Sequence, residues 1–560
     1  MAGLELVLLL LAVSAGLRLV AERLTIPYAT VLVVGGFLLA LVPGTPRVTL
    51  DPDVLFLVFI PPLLYGGAIS FPFRDFKREL GPIIRLSVVM VVVSTAAVAA
   101  IAHALHPAFT WSAAIVLGAI VSPPDPVAVL SVMRSLRVPR SVTSILEGEG
   151  LLNDATALVI YRLAVVAAVT GAFSLSQAAL QFLLAAGGGI VIGLVIGILA
   201  THVHRVTRMV PVVSTTISLL TPFASYLLAD LVGVSGVLAV VTTGMYASRT
   251  VPKVIGPALR IQVAGMWTVV TFMLESLVFI LVGLELPYVA RAINTLPLRE
   301  LLWEGVIVSV CVILVRLIWV FPSTYFFRAI GRWMRRSHEP PPPWRSVLFI
   351  GWAGLRGADS LVLALALPLQ TASGAPFVAR DQIIFITFSV IFITLVLQGP
   401  TLAPFARRLE GGDNLEEAAE EAHARLVAVE AGLKELDKLG VESSVEPEVV
   451  RYLRGRHRQR ARRWASVEAD THEDEPDNLK HEHFTIAPSH KAAVVDEQRA
   501  TEYRRIRAAM IRAEQESLLD LRDKGVIPDD VMRRIQRDLD LESMQLETSE
   551  PVEARADTLE

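Results

Sequence analysis

Long apolar runs separated by short polar clusters fill the chain from its start to about residue 405. A helix that crosses a bilayer needs about 20 mostly apolar residues. Thirteen stretches approach or meet that requirement, at roughly 3–20, 27–43, 53–70, 81–104, 111–133, 142–168, 177–201, 210–230, 233–248, 264–286, 301–324, 345–368 and 381–404. Only "LADLVGVSG" separates the eighth from the ninth. The opening "MAGLELVLLLLAVSAG" has the small residues of a secretory signal, but it lacks a basic leading segment and carries Glu5, so it reads as a first membrane helix. The pattern predicts an all-α polytopic membrane protein, with a transmembrane domain at 1–405 and a cytoplasmic, mainly helical tail at 406–560.

Composition agrees with that division. The 560 residues are 53 % hydrophobic and only 19 % charged, against about a quarter charged in soluble domains. The net charge of -3 averages two unlike halves. The single cysteine, Cys311, sits in an apolar run, which excludes an internal disulfide and a cysteine-based metal site. Loops that stay in the cytoplasm keep an excess of Lys and Arg. With the N-terminus outside, the inward loops hold seventeen basic residues and the outward loops four, namely Arg47, Arg291, Arg299 and Arg380. This bias suits thirteen spans with the tail in the cytoplasm.

Charges within a span are costly, so they face protein or water and mark a transport route. The fifth span, "AAIVLGAIVSPPDPVAVLSVM", holds Pro123, Pro124 and Pro126 around Asp125. Proline removes a backbone donor and clashes with the preceding turn, so this helix should unwind at mid-membrane. Unwound backbone is tolerated there only when it is buried in protein or lines a cavity. The sixth span, "ILEGEGLLNDATALVIYRL", carries Glu147, Glu149, Asn153 and Asp154. Glu149 and Asn153 share one helix face, and Gly150 and Asp154 the next. A start near residue 142 puts Asp154 about 18 Å into the helix, near the midplane. Gly150 leaves room beside it for a neighbouring backbone or an ion. Glu147 fits either a cytoplasmic funnel or an exposed helix entrance.

The twelfth span, "SVLFIGWAGLRGADSLVLALALP", has Gly351, Gly354 and Gly357 around Arg356, with Asp359 one turn on. Arg356 and Asp359 either neutralise each other or belong to a site. If the seventh span is a connector, spans 1–6 and 8–13 form two six-helix halves, the second inverted, with broken helices at equivalent places. Paired broken helices in inverted repeats point to a secondary transporter's midplane site. Two more buried charges, Arg316 and Glu275, need partners. Pairing Glu149 with Arg316 and Glu275 with Arg356 leaves Asp125 and Asp154 as the free acids.

"EGEGLLNDATALV" resembles the glutamate-x-leucine-leucine-asparagine-aspartate motif of the sodium/proton exchangers, in the electroneutral branch of the monovalent cation:proton antiporter superfamily. "SPPDPVAVL" resembles that family's broken-helix motif, "VRLIWVFP" and "WAGLRGADSL" its arginine-bearing helices, and "FIPPLLYGGAI" its third-span motif. The likeness covers about residues 3 to 405 with the motifs in order. It implies thirteen helices in inverted repeats, two broken helices crossing at the midplane, a homodimer, and alternating access by a mobile core. It further implies that Asp154 binds the ion and the proton, with Asn153 beside it and Asp125 close by; all three offer oxygen ligands to the ion, and Asp154 and Asp125 hold Na+. Glu149 and Arg316 match a structural ion pair, and Pro124, Pro126, Arg356, Glu275 and Asp359 support the site. Four departures bear on selectivity: Pro124 replaces a frequent threonine, Gly150 a frequent serine, Asp359 a small apolar residue, and Tyr65-Gly66 stands where some relatives place a carboxylate.

The chemistry that follows is exchange of Na+ for H+ across the cytoplasmic membrane, for pH and sodium homeostasis. Burial favours a protonated carboxyl, so one acid can hold either a proton or a cation. Asn153, in place of a second aspartate, resembles the one-for-one class. K+/H+ exchange is the alternative. The partners are monovalent cations, protons, membrane lipid and a second copy; no cofactor and no nucleic acid are expected. The glycine-x-glycine-aspartate signature of intramembrane aspartyl proteases is absent, and so is a channel's filter repeat.

In the tail, "NLEEAAEEAHARLVAVEAGLKELDKLG" carries a stripe of Leu426, Val429, Leu433 and Leu436. "PEVVRYLRGRHRQRARRW" is a basic helix suited to anionic lipid or the inward loops. A polar linker follows near 467–492, and then a helical region from about 493 to 545, broken at "GVIPDD", where Pro528 starts the last helix. Six histidines lie here: His423, His457, His472, His481, His483 and His490. They fit a pH-sensing tail or inert exposed positions.

Overall fold

The structure is a computed structural model. It describes residues 2–24, 26–42, 52–106, 109–133, 138–171, 175–207, 209–292, 297–333, 342–371, 374–409, 413–441, 446–470 and 493–548. Most of the linker predicted near 467–492 therefore lies outside the described residues, as do His472, His481, His483 and His490. The described chain is helical apart from turns and one isolated bridge between Gln370 and Pro376. It divides into two compact units, one of residues 1–255 and 263–410, the other of 256–262 and 411–560.

Among the described residues eight helical stretches are long and apolar enough to cross a bilayer: Leu80–Leu105, Trp111–Leu130, Arg140–Thr170, Leu180–Thr207, Pro211–Leu231, Pro257–Pro287, Arg299–Ala329 and Arg380–Leu409. Two shorter apolar helices, Tyr28–Ala40 and Leu57–Ser70, accompany them. The other predicted spans take different forms. Ala2–Leu24 is helical but carries charge at both ends, Gly236–Thr250 has only 15 residues, and the stretch at 345–368 is two short helices, Trp344–Trp352 and Ala358–Leu365.

Burial is inverted relative to a soluble protein. Helix Leu175–Thr207 exposes Leu183, Val191, Val195 and Ile198, an apolar face suited to lipid. Its other side packs on Gly236–Thr250 through Gly189, Gly193 and Gly197. A Cβ on Gly193 would come within 2.4 Å of the Ala239 carbonyl oxygen, so only glycine allows this approach. Helix Arg140–Thr170 packs on Trp111–Val121 and Pro126–Met133. Helix Leu298–Trp333 lies against Trp344–Trp352 and Arg380–Leu397.

The second unit has its own apolar core. Helices Asp413–Leu439, Pro447–Asp470, Ala493–Asp523 and Asp529–Thr548 bury Leu436, Leu453, Ile506 and Met510 in one cluster and Ala428, Ile511, Leu518, Val531 and Ile535 in another. Of the predicted stripe, Val429 and Leu436 are buried, while Leu433 is partly buried. The last helix begins immediately after Pro528, with Asp529 and Asp530 in its first turn, where acids suit the helix dipole.

Candidate functional site

Helix Trp111–Val121 stops at Ser122, the chain runs without helix through Pro123 to Asp125, and helix Pro126–Met133 begins. The twelfth span breaks in the same manner, with non-helical backbone from Ala353 to Gly357 between Trp344–Trp352 and Ala358–Leu365. Proline causes the first break by removing donors. Three glycines in seven residues favour the second. The two unwound segments touch, because the Asp125 amide donates to the Leu355 carbonyl at 2.7 Å.

Each break leaves helix-end carbonyls that need donors. Arg356, fully buried, donates from Nε to the Val121 carbonyl at 2.6 Å and from Nη1 to that of Gly354 at 2.8 Å. Arg316, also buried, donates from Nε and Nη2 to the Ile350 carbonyl at 3.2 and 3.0 Å. Each half-helix thus ends on a guanidinium from elsewhere, the favourable sign at a helix C-terminus. Asp125 serves the opposite end: its Oδ1 accepts from the Val127 amide at 2.8 Å, at the start of Pro126–Met133. Helix Arg380–Leu397 and the residue after it hold the second break. Thr394 Oγ1 accepts from the Arg356 amide at 3.2 Å, and Gln398 Nε2 donates to the Trp352 carbonyl at 3.0 Å.

Arg316 also grips both carboxylate oxygens of Glu149, with Nη2 to Oε2 at 2.8 Å and a second bond from Nη1 to Oε1. Both side chains are 1 % exposed. A bidentate pair is the geometry in which a buried ion pair is tolerated. The acids of the sixth span therefore differ in kind. Glu149 is fully committed to Arg316, Glu147 is half-buried, and Asp154 is half-buried beside the crossing.

The carboxyl groups of Asp154 and Asp359 neighbour one another, and Asp125 lies close enough to act on Asp154 by its charge. The i, i+3 pairing of Arg356 with Asp359 does not form, since the arginine turns to backbone carbonyls and the aspartate to Asp154. Glu275 likewise does not pair with Arg356; it accepts a hydrogen bond from the Tyr28 hydroxyl. Gly150 gives room to a neighbour and not to an ion, because the Pro126 ring occupies the space where a Cβ would stand. Asn153 spends both polar atoms on backbone: Nδ2 donates to the Pro124 carbonyl at 2.7 Å, and Oδ1 accepts from the Asp154 amide at 2.7 Å. It ties the sixth span to the first break, and its one oxygen already accepts a backbone hydrogen bond. The Pro124 carbonyl is correspondingly already engaged.

Residues 8–408 match the sodium/hydrogen exchanger transmembrane family. The chain belongs to that family. The exchanger is 32 % identical over 97 % of its length to an uncharacterized Na(+)/H(+) exchanger of Mycobacterium tuberculosis, 96 % of which is covered. It is 29 % identical to the sodium, potassium, lithium and rubidium/H(+) antiporter of Bacillus subtilis, over 91 % of this chain and 73 % of that one. It also resembles the solved sodium proton antiporter MjNhaP1 of Methanocaldococcus jannaschii, with a TM-score of 0.56 and 20 % identity over 71 % of this chain and 99 % of that one. This likeness supports a shared helical fold. The exchanger is accordingly a monovalent cation:proton antiporter of the NhaP type.

The exchanger's two breaks bring together Asp154, Asp125, Asn153, Asp359, Arg356, Pro124 and Pro126, while Glu275 sits with Tyr28. Three supporting residues, Tyr28, Thr394 and Gln398, carry no charge and gave no hydropathy signal in the sequence.

Proposed function

We propose that the chain exchanges Na+ for H+ across the cytoplasmic membrane by alternating access, one for one, in the service of pH and sodium homeostasis. The observation that carries this reading is the meeting of Asp154, Asp125 and Asp359 at two mutually contacting helix breaks. Hard cations take oxygen ligands, and Asp154 and Asp125 supply carboxylates for the transported Na+. Of two neighbouring carboxyls withdrawn from water one readily keeps a proton, so a site that can hold a proton and a site that can hold a cation coincide at Asp154. Occupancy by one excludes the other, and that exclusion is sufficient for exchange. Asn153 holds Asp154 and the unwound backbone in register, which refines its role from ligand to positioning residue. The membrane domain has thirteen crossings in two inverted repeats, the N-terminus outside and the tail inside, and works as a homodimer.

Potassium is the second reading, favoured by the Bacillus subtilis relative whose name includes sodium, potassium, lithium and rubidium. Sodium and potassium titrations in proteoliposomes, with a pH dye inside and the membrane potential clamped, distinguish the two. Proton flux driven by sodium and insensitive to the potential supports the proposal. Flux driven by potassium alone, or flux that reverses with the potential, overturns it.

A further inference from the structure

Helix Pro447–Asp470 carries seven arginines, no lysine, and no acid between Glu448 and Glu468. Its inner face buries Val450, Leu453 and His457 against the rest of the second unit. On the far side Arg451, Arg458 and Arg462 are exposed, at i, i+7 and i+11, within about 40° of one another around the helix. They lie along roughly 16 Å of its axis. Gln459 and Ser466 share that side and are also exposed. Arg456 and Arg463 flank it, Arg456 against the Tyr503 hydroxyl at 3.5 Å and Arg463 over the Trp464 ring.

Many other arginines of this unit face carboxylates. Arg454 pairs with Asp437, Arg425 with Glu421 and Asp538, Arg499 with Glu446, and Arg507 with Glu514 and Glu542. Among the described residues, Arg451, Arg458 and Arg462 have no carboxylate partner. Three arginines aligned on one helix face, with no acid between Glu448 and Glu468 on that helix, thus carry unmatched positive charge. Guanidinium rather than ammonium is the group that meets phosphate oxygens two at a time. The chain is held in a bilayer by its other half, so phosphodiester headgroups are always within its neighbourhood.

We propose that the Arg451, Arg458 and Arg462 face of this helix docks on anionic phospholipid headgroups. Exposed Tyr452 beside the stripe suits the same interfacial position, where amphipathic rings gather. The proposal rests on the chain being embedded in membrane and not on which ions it exchanges. Each arginine near an anionic surface contributes about a fivefold factor in binding, so loss of three lowers it about a hundredfold.

The test uses the full-length protein in nanodiscs, with a nitroxide at Gln459→Cys, once in phosphatidylcholine and once in phosphatidylcholine mixed with phosphatidylglycerol. The expected result is reduced access of a polar relaxant to the label in the anionic discs only, reversed by high salt. The triple variant R451Q/R458Q/R462Q should remain accessible in both, with unchanged thermal unfolding because all three side chains are exposed. Equal access in the two discs, or protection that survives the triple substitution, overturns the proposal. Protection by added RNA in phosphatidylcholine discs that exceeds protection by phosphatidylglycerol overturns it in favour of a nucleic-acid surface. None of these readings depends on transport, so failure here leaves the exchange reaction standing.

Discussion

Replacing Glu149 with glutamine tests whether this acid is structural. In the wild type Arg316 gives Glu149 two bonds, and both side chains are 1 % exposed. Glutamine keeps the shape and one oxygen, but it removes the charge that balances a guanidinium with no access to water. Breaking a buried pair in this way costs about 3–5 kcal/mol, most of it from the charge left behind. Arg316 keeps its bonds to the Ile350 carbonyl, so the loss should fall at the lower end, about 3 kcal/mol. That corresponds to a drop in unfolding temperature of roughly 5 °C or more. The assay is thermal unfolding of purified Glu149→Gln protein, with sodium affinity measured on the fraction that folds. Lower stability with near-normal affinity is expected. Unchanged stability with a shifted sodium affinity would refute the reasoning and make Glu149 a ligand.

Three further outcomes follow from the same geometry. Asn153→Ala frees the Pro124 carbonyl and removes the tie to the Asp154 amide, each bond worth about 1 kcal/mol; exchange should slow at all sodium concentrations, and a pure change in sodium affinity would speak for Asn153 as a ligand. Asp359→Ala removes a carboxyl that contacts Asp154, so the half-saturating sodium concentration in proteoliposomes should change; an identical sodium curve would show that Asp359 has no part in the site. In the tail, burial alone pushes the Glu514 carboxyl up, but the hydrogen bond from His457 and the charges of Arg507 and Arg460 outweigh it and hold it below its ordinary value of 4.5. A depressed carboxyl contributes stability that is present above the ordinary value and lost as pH falls through the depressed one. Hydrogen exchange in helix Ala493–Asp523 of the full-length protein, corrected for intrinsic rates, should therefore stay slow from neutral pH down to about the ordinary carboxyl value. Loss of protection already near neutral pH would contradict this.

Much of the site was legible because a membrane makes polar residues scarce. Asp125, Glu149, Asp154, Arg316 and Arg356 stand out in apolar runs, and the proline and glycine clusters mark the two breaks directly. The partners were harder to read. Counting charges paired Glu275 with Arg356, yet Glu275 takes the hydroxyl of Tyr28, and Arg356 takes the Val121 and Gly354 carbonyls. A broken helix creates backbone acceptors that outbid a distant carboxylate, and no residue type announces them. Thr394 and Gln398 escaped notice for the same reason, since their demand comes from unwound backbone in another part of the chain. Asn153 looked like an oxygen ligand from its place beside Asp154; only the register of the first break assigns both its polar atoms to backbone. The arginine face of Pro447–Asp470 was visible as basic charge, but which arginines go unpaired depends on how the tail helices pack.

The central claim is that one carboxyl, Asp154, carries both the cation and the proton. Sodium-driven proton flux in proteoliposomes, measured for the wild type and for Asp154→Asn at matched protein incorporation, tests it most directly. The account predicts robust flux in the wild type and none in the variant, with the variant still monodisperse and thermally stable. Flux that persists in a folded Asp154→Asn protein would contradict it.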